Sequence, residues 1–293
     1  MGAADVVPGV SGGTIALITG VYEELVNSLK SIDASAIKIL LKGKPALFWE
    51  KINGTFLLVL FSGVLISVFS LARLLKSLIT SHPVLVWSFF FGLIVASALL
   101  VTGKIKRWNI PKIIALVSGA VLMYFITRFS PAETTEAYWF IFISGALAIC
   151  AMILPGISGA FILLILGKYH FILTSISNLD IPVILVFGAG VVTGLLSFAR
   201  FLSWLLGRYH DLTISALAGF IIGSLNKIWP WKETITTRIN SHGDIVPVIQ
   251  NNISPLNYED ITGSDPQLLY AFTLIVAGIV IVILLERIGR IAR

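Results

Sequence analysis

The stretch Pro8-Gly9-Val10-Ser11-Gly12-Gly13-Thr14 decides how this chain is read, because the chain carries it twice. The second copy, 147 positions later, is Pro155-Gly156-Ile157-Ser158-Gly159-Ala160-Phe161. At the same offset Gly20 answers Gly167 and Tyr22 answers Tyr169. Both copies interrupt apolar, helix-forming sequence, where Pro-Gly followed by Ser-Gly stops one helix and starts another. At membrane depth such a break is tolerated only where the freed backbone groups face protein or a polar cavity. Two breaks in corresponding halves of a chain are the best sequence pointer to a transporter's binding site.

Composition agrees with a membrane setting. Of the 293 residues, 57% are hydrophobic and 12% charged, and the mean hydropathy is +0.95. A soluble domain carries about 25% charged residues. The apolar segments are continuous rather than alternating, which excludes an outer-membrane barrel. The single cysteine, Cys150, rules out an intramolecular disulfide and reads as packing among Ala148, Ile149 and Ala151. No basic n-region or cleavage site precedes the motif, so no signal peptide is expected. Copy two has a full apolar arm before its break, Tyr138 to Leu154, whereas copy one has seven residues. That contrast suggests a shortened first arm.

In order, residues 1–29 form a broken helical segment and 30–51 a basic connector. Apolar runs at 54–79, 84–102 and 111–127 each approach the roughly 20 residues a span needs. The second half repeats the plan, with a broken segment at 138–178 and runs at 181–206, 212–229 and 268–286. A long polar stretch, 230–267, separates the last two. At an offset of 127, Gly63 meets Gly190, Ser70 meets Ser197, Arg73 meets Arg200, Gly92 meets Gly219 and Ser97 meets Ser224. The expected fold is therefore an all-α polytopic membrane protein of two inverted-topology repeats, 1–129 and 138–293. Each is a broken, re-entrant segment plus three transmembrane helices.

Charge supports the inversion independently. Segments 30–51, 103–112, 207–211 and the C-terminus hold thirteen lysines and arginines, against five on the opposite side. By the positive-inside rule the basic side is cytoplasmic, and 230–267 lies outside. The net charge of +6 thus reflects topology rather than nucleic-acid binding. The sequon Asn252-Ile253-Ser254 reads as chance, and the seven tryptophans as an interfacial belt.

A half-helix starting at Ser-Gly-Gly-Thr offers unpaired N–H groups and the positive end of a dipole. Ser11, Gly12, Gly13 and Thr14, with Ser158, Gly159 and Ala160, are therefore candidate anion ligands. Pro8, Gly9, Pro155 and Gly156 make the breaks. The plainer alternative is a kink for close helix packing, which two copies in inverted halves make less suitable. Arg73 and Arg200 lie in apolar runs, each in a Ser-x-Ala-Arg setting. An intramembrane charge suggests function unless it snorkels to an interface. Two guanidiniums and two half-helix ends would suit a phosphate. Glu23 and His170 align in the repeat and, with Asp5, are candidates for proton coupling or for helix capping. No metal-ligand spacing or nucleotide fingerprint appears, and no cofactor is implied beyond a coupling proton or sodium ion.

Residues Gly2-Ala3-Ala4-Asp5-Val6-Val7-Pro8-Gly9-Val10-Ser11-Gly12-Gly13-Thr14 closely resemble the opening signature of the bacterial polyprenyl-phosphate transporters, and the second Pro-Gly-Ile-Ser-Gly and the loop plan fit as well. The resemblance implies a multi-pass protein of the bacterial cytoplasmic membrane with a cytoplasmic C-terminus. It implies movement of undecaprenyl phosphate from outer to inner leaflet for cell-wall synthesis. Lipid is the expected surrounding partner, and a homo-oligomer is left open. A related architecture, the undecaprenyl-pyrophosphate phosphatases, carries Pro-Gly-x-Ser-Arg-Ser. Here Gly12 and Gly159 stand where that arginine would be, so a hydrolase is the weaker alternative, beside an ion-coupled transporter of a small anion.

Overall fold

The computed structural model describes residues 1–5, 11–105, 107–129, 134–239 and 245–291. Helices α1 (Gly2–Asp5), α2 (Gly12–Thr19) and α3 (Tyr22–Lys30) form the first broken segment. Short helices α4 (Ala34–Leu41) and α5 (Pro45–Lys51) fill the connector, and α6 (Gly54–Ser81), α7 (Pro83–Gly103) and α8 (Ile110–Arg128) follow. The second broken segment is α9 (Tyr138–Ile153), α10 (Gly159–Ile165) and α11 (Tyr169–Ser177). Then come α12 (Ile181–Arg208), α13 (His210–Ser224), strands β1 (Lys232–Ile239) and β2 (Ile245–Asn252), α14 (Tyr258–Thr262) and α15 (Leu268–Ile291).

Local chemistry sets these ends. Asn109 and Asp180 cap α8 and α12 by accepting the N–H groups of Lys112 and Val183, with a proline in each first turn. Gly20 and Gly167, paired in the repeat, both lie in the left-handed region (φ 76° and 64°) between the two short helices of their segments. A side chain there would be strained. By length and composition α6, α7, α8, α12 and α15 can each cross a membrane; the bent pair α10–α11 makes a sixth if counted as one span.

Two elements differ from the sequence reading. Helix α13 stops at Ser224 rather than continuing to 229. The tail of that apolar run turns instead, and Asn226 and Trp229 bond to Thr127 and the Ile253 carbonyl. Part of the outer polar stretch pairs as the antiparallel β1–β2 hairpin, the only sheet among the described residues. Trp229 and Trp231 pack at its base, where Trp231 donates to the Pro266 carbonyl. They join a small cluster with Val84 and Ala271, at the starts of α7 and α15, and Tyr258.

Glycines bring the long helices together. A Cβ on Gly219 would sit 2.2 Å from the Leu116 carbonyl oxygen, and one on Gly223 2.4 Å from that of Ala120. Contacts advance by four residues on both chains, so α8 and α13 run the same way. Gly92 meets the Ile275 carbonyl at 2.0 Å and Gly278 that of Phe89 at 2.3 Å, packing α7 along α15. Val84 and Ala271, at the start of each, share one cluster, so this pair is also parallel. Only small residues allow backbones this close. The pairing is reciprocal: the second long helix after each break packs on the third of the other half.

The second broken segment is a hairpin. The N-terminal approach to α9 and the end of α10 are tied together, as Thr134 donates to the Leu166 carbonyl and Lys168 Nζ to that of Thr134. Gly159 lies against the Ala148 carbonyl, and α12 then runs parallel to α9 through Gly190 on Phe142 and Gly194 on Ala146. The first segment reaches the opposite end of the molecule. Lys104 Nζ caps α2 at the Leu17 carbonyl, Lys30 bonds Ser203, and Glu23 meets His210. There Lys112 also pairs with Asp211 at 2.5 Å, joining the 103–112 and 207–211 connections.

His210 sits outside the apolar runs, 3.0 Å from Glu23 and 3.3 Å from Asp211. Partial burial lowers its pKa, but hydrogen bonds to Glu23 and Asp211 outweigh that and leave it above the usual value. A raised folded-state pKa stabilises below the unfolded value, about 6.5, and that contribution is lost as pH rises through the folded value. The melting temperature of the wild type is therefore expected to fall between pH 6 and 8, and that of His210→Gln to change less. Parallel pH curves for the two proteins would contradict this.

Candidate functional site

The two breaks meet. Ser11 is extended (φ −120°, ψ 133°) and caps α2, its Oγ accepting the Gly13 N–H at 3.1 Å. The same hydroxyl donates to the Leu154 carbonyl, 3.1 Å away in the second break. In return the Gly156 N–H donates to Thr14 Oγ1 at 3.1 Å. Gly156 has φ 85°, which allows the turn after Pro155. A Cβ on Gly13 would stand 2.7 Å from the Ile153 carbonyl, so glycine lets the tips touch. Ser11, Gly12, Gly13 and Thr14 are all buried.

The tips differ in what their helix ends hold. In the first, Asp5 Oδ1 accepts the Gly12 N–H at 2.7 Å, and a Cβ on Gly12 would collide with that carboxylate at 2.4 Å. The donors of α2 are thus satisfied by Asp5 and Ser11. Asp5 acts here as a cap, a role the N-terminal dipole favours. In the second, Ser158 starts α10 without a side-chain cap, Ala160 is exposed, and Met152 stands where Asp5 would be by the repeat.

The other sequence-predicted residues separate. Arg200 is exposed on α12, and among the described residues it forms no ion pair. Pro8, Gly9 and the side chain of Arg73 lie outside the described residues. Glu23 faces His210 instead of the tips. His170 stacks edge-on with Tyr169 at 5.3 Å. Of the two arginines expected at the breaks, only the Arg200 side chain is described.

A second polar feature escaped the sequence reading. The end of α8, the turn after α13 and the β1–β2 hairpin border a half-open cavity of about 650 Å³, lined by Arg128, Asn226, Lys227, Lys232 and Glu233 among others. Lys232 Nζ donates to the Lys227 carbonyl at 2.6 Å and lies 4.2 Å from the Trp87 ring centre. Burial, reinforced by Lys227, pulls the Lys232 pKa down to about 7. Lys227 Nζ lies 4.9 Å from the ring centre of Phe161, the residue after Ala160 in α10. The sequence showed these lysines only as loop charges, because their convergence depends on where α13 ends.

Helices long enough to span a membrane, packed through glycines, and two touching helix breaks define a multi-pass membrane protein built on broken helices. Residues 1–246 match the undecaprenyl phosphate translocase-like family, and the chain belongs to that family. It is 46% identical over 287 residues to the Polyprenyl-phosphate transporter of Vibrio cholerae, covering 98% of this chain and 93% of that protein. It is 29% identical over 252 residues to the Polyprenyl-phosphate transporter of Staphylococcus aureus, covering 80% and 84%. Both relatives are named as transporters, not enzymes. No solved structure matches significantly.

Proposed function

We propose that this protein carries undecaprenyl phosphate, or a closely similar polyprenyl phosphate, from the outer to the inner leaflet of the bacterial cytoplasmic membrane, returning the carrier to cell-wall synthesis. The observation that carries the reading is the contact of two hairpins, entering from opposite ends, through Ser11–Leu154 and Gly156–Thr14. Family membership and the relatives' names support the lipid phosphate as cargo. The parallel pairs α8–α13 and α7–α15 support inverted halves, since α8 and α13 then both run outward and α7 and α15 inward. The basic connections on one side support a cytoplasmic C-terminus.

Of the two breaks, the phosphate meets the start of α10 before that of α2, and Ser158, Gly159 and Ala160 face it there without an internal carboxylate. Transfer to the end of α2 requires Asp5 to release the Gly12 N–H, so carboxylate and phosphate compete for one donor. That competition is where a coupling proton or sodium ion would act. Arg73 and Arg200 neutralise the phosphate during passage, and the prenyl chain stays in lipid. Alternating access exchanges which hairpin is open. Because helices are traded between halves, the moving bodies are pairs such as α7–α15, not the two sequence halves.

Reconstituted liposomes carrying undecaprenyl phosphate test this. Wild type should move it between leaflets and release no phosphate from the pyrophosphate form. Arg73→Ala and Arg200→Ala should each slow transfer at least about tenfold, as expected for losing a charge-assisted contact. Phosphate release by the wild type would make the protein a hydrolase. Unchanged transfer in both variants would reduce the arginines to interfacial anchors.

A further inference from the structure

We propose that the cavity beneath the β1–β2 hairpin is a capture site for a prenyl phosphate monoester, separate from the helix breaks and upstream of them. Its phosphate lies among Arg128, Lys227 and Lys232, and its chain lies in the groove between α8 and α13. This rests on the lipid-phosphate reading above and names where the substrate is first held.

Among the described residues three basic side chains, Arg128, Lys227 and Lys232, line the cavity with one carboxylate, Glu233. Among the described residues neither Lys227 nor Lys232 takes part in an ion pair. Both are drawn out of water onto aromatic faces, Phe161 and Trp87, and Lys232 is further fixed by the Lys227 carbonyl. Desolvated cations without a counter-ion favour an incoming anion. The wall is held by hydrogen bonds from Asn252 to Asn226 and from Asn226 to Thr127, at 2.8–3.2 Å.

An apolar groove lies beside the cavity. This groove of about 340 Å³ runs along Val121, Tyr124, Phe125 and Ile222 and shares Asn226 with the cavity. Arg128 spans the two, lining the cavity while its guanidinium lies 5.2 Å from the Tyr124 ring centre. A basic chamber beside an apolar groove, with Asn226 lining both, matches a ligand with an anionic head and a hydrocarbon chain. Inorganic phosphate would leave the groove empty. The route inward is short, because Lys227 touches Phe161 of α10, where the second break begins.

The test measures binding of farnesyl phosphate, inorganic phosphate and farnesol to the purified chain in nanodiscs, read by tryptophan fluorescence. Farnesyl phosphate should bind at least about tenfold tighter than either other probe. The double variant Lys227→Gln/Lys232→Gln should weaken it at least about tenfold, and Lys227→Arg/Lys232→Arg should retain binding. Val121→Trp, which fills the groove from the lipid side, should weaken farnesyl phosphate and leave inorganic phosphate unchanged. Farnesyl phosphate binding that survives the double Gln variant overturns the capture site. Equal affinity for inorganic phosphate overturns the lipid assignment and leaves a soluble-anion site. Leaflet transfer in liposomes separates the two levels. A wild type that moves no undecaprenyl phosphate defeats the transport reading, whereas full transfer by a double Gln variant that no longer binds farnesyl phosphate defeats capture alone.

Discussion

Gly190→Ala is expected to destabilise the protein strongly, while Gly63→Ala, at the equivalent repeat position, is expected to be neutral or slightly stabilising. A Cβ at Gly190 would lie 2.0 Å from the Phe142 carbonyl oxygen, so α12 and α9 would have to part. The contact is backbone, which cannot swing aside as a side chain can. Forcing a methyl group into so close a contact costs about 1–3 kcal/mol and sometimes more. A Cβ at Gly63 meets nothing within 4 Å. Alanine there gains helix propensity, about 0.5–1 kcal/mol over glycine. Thermal unfolding of the two variants in the same detergent, followed by size-exclusion chromatography, checks the contrast. Equal shifts would mean that α9 and α12 do not pack as closely as the structure has them.

Asp5→Ala should tighten substrate binding and slow transport, an opposition that a plain structural defect does not produce. The Asp5 carboxylate occupies the Gly12 N–H at 2.7 Å, where a phosphate oxygen would bind. Removing it opens a donor at the positive end of α2 and takes away a repelling charge. A charge-assisted bond contributes about 1.5–3 kcal/mol, so affinity for the lipid phosphate should rise roughly tenfold or more. Release then lacks its internal competitor, and leaflet transfer should fall by a similar factor. Asp5→Asn keeps an acceptor without the charge and should lie between. Affinity measured beside transfer rates decides the matter: a parallel fall in both would leave Asp5 as a cap with no part in exchange.

Much of the architecture was readable because membrane physics leaves few options. Long apolar runs gave helices α6, α7, α8, α12 and α15, and Pro-Gly before Ser-Gly marked where helices stop. What pattern could not convey was partnership. Ser11 and Leu154 are 143 residues apart, and nothing in either tip says that its hydroxyl or carbonyl serves the other. The capping of Gly12 by Asp5 was hidden for a similar reason, since an acidic residue before a break serves equally as cap or coupling group. Arg200 was singled out on its charge and its repeat match to Arg73, neither of which says which way an α12 side chain faces. The end of α13 at Ser224 was missed because Ile228 and Trp229 are as apolar as the helix itself. Hydropathy cannot distinguish a span from a packed turn, and the lysine cavity depends on that turn.

The exchange of helices between the two halves also bears on how the protein is made. A chain entering the membrane from its N-terminus lays down α7 and α8 long before their glycine-matched partners exist. Helix α8 waits for α13, and α7 waits for α15, about 165 residues further on. At synthesis rates of about 5–20 residues per second, the wait for α15 is on the order of ten to thirty seconds. Throughout it, the Gly92 face of α7 lacks the backbone it is shaped to meet. Neither half can be completed first and kept as a finished module. Nascent chains stalled before α15 should therefore be the form that membrane quality control recognises and removes.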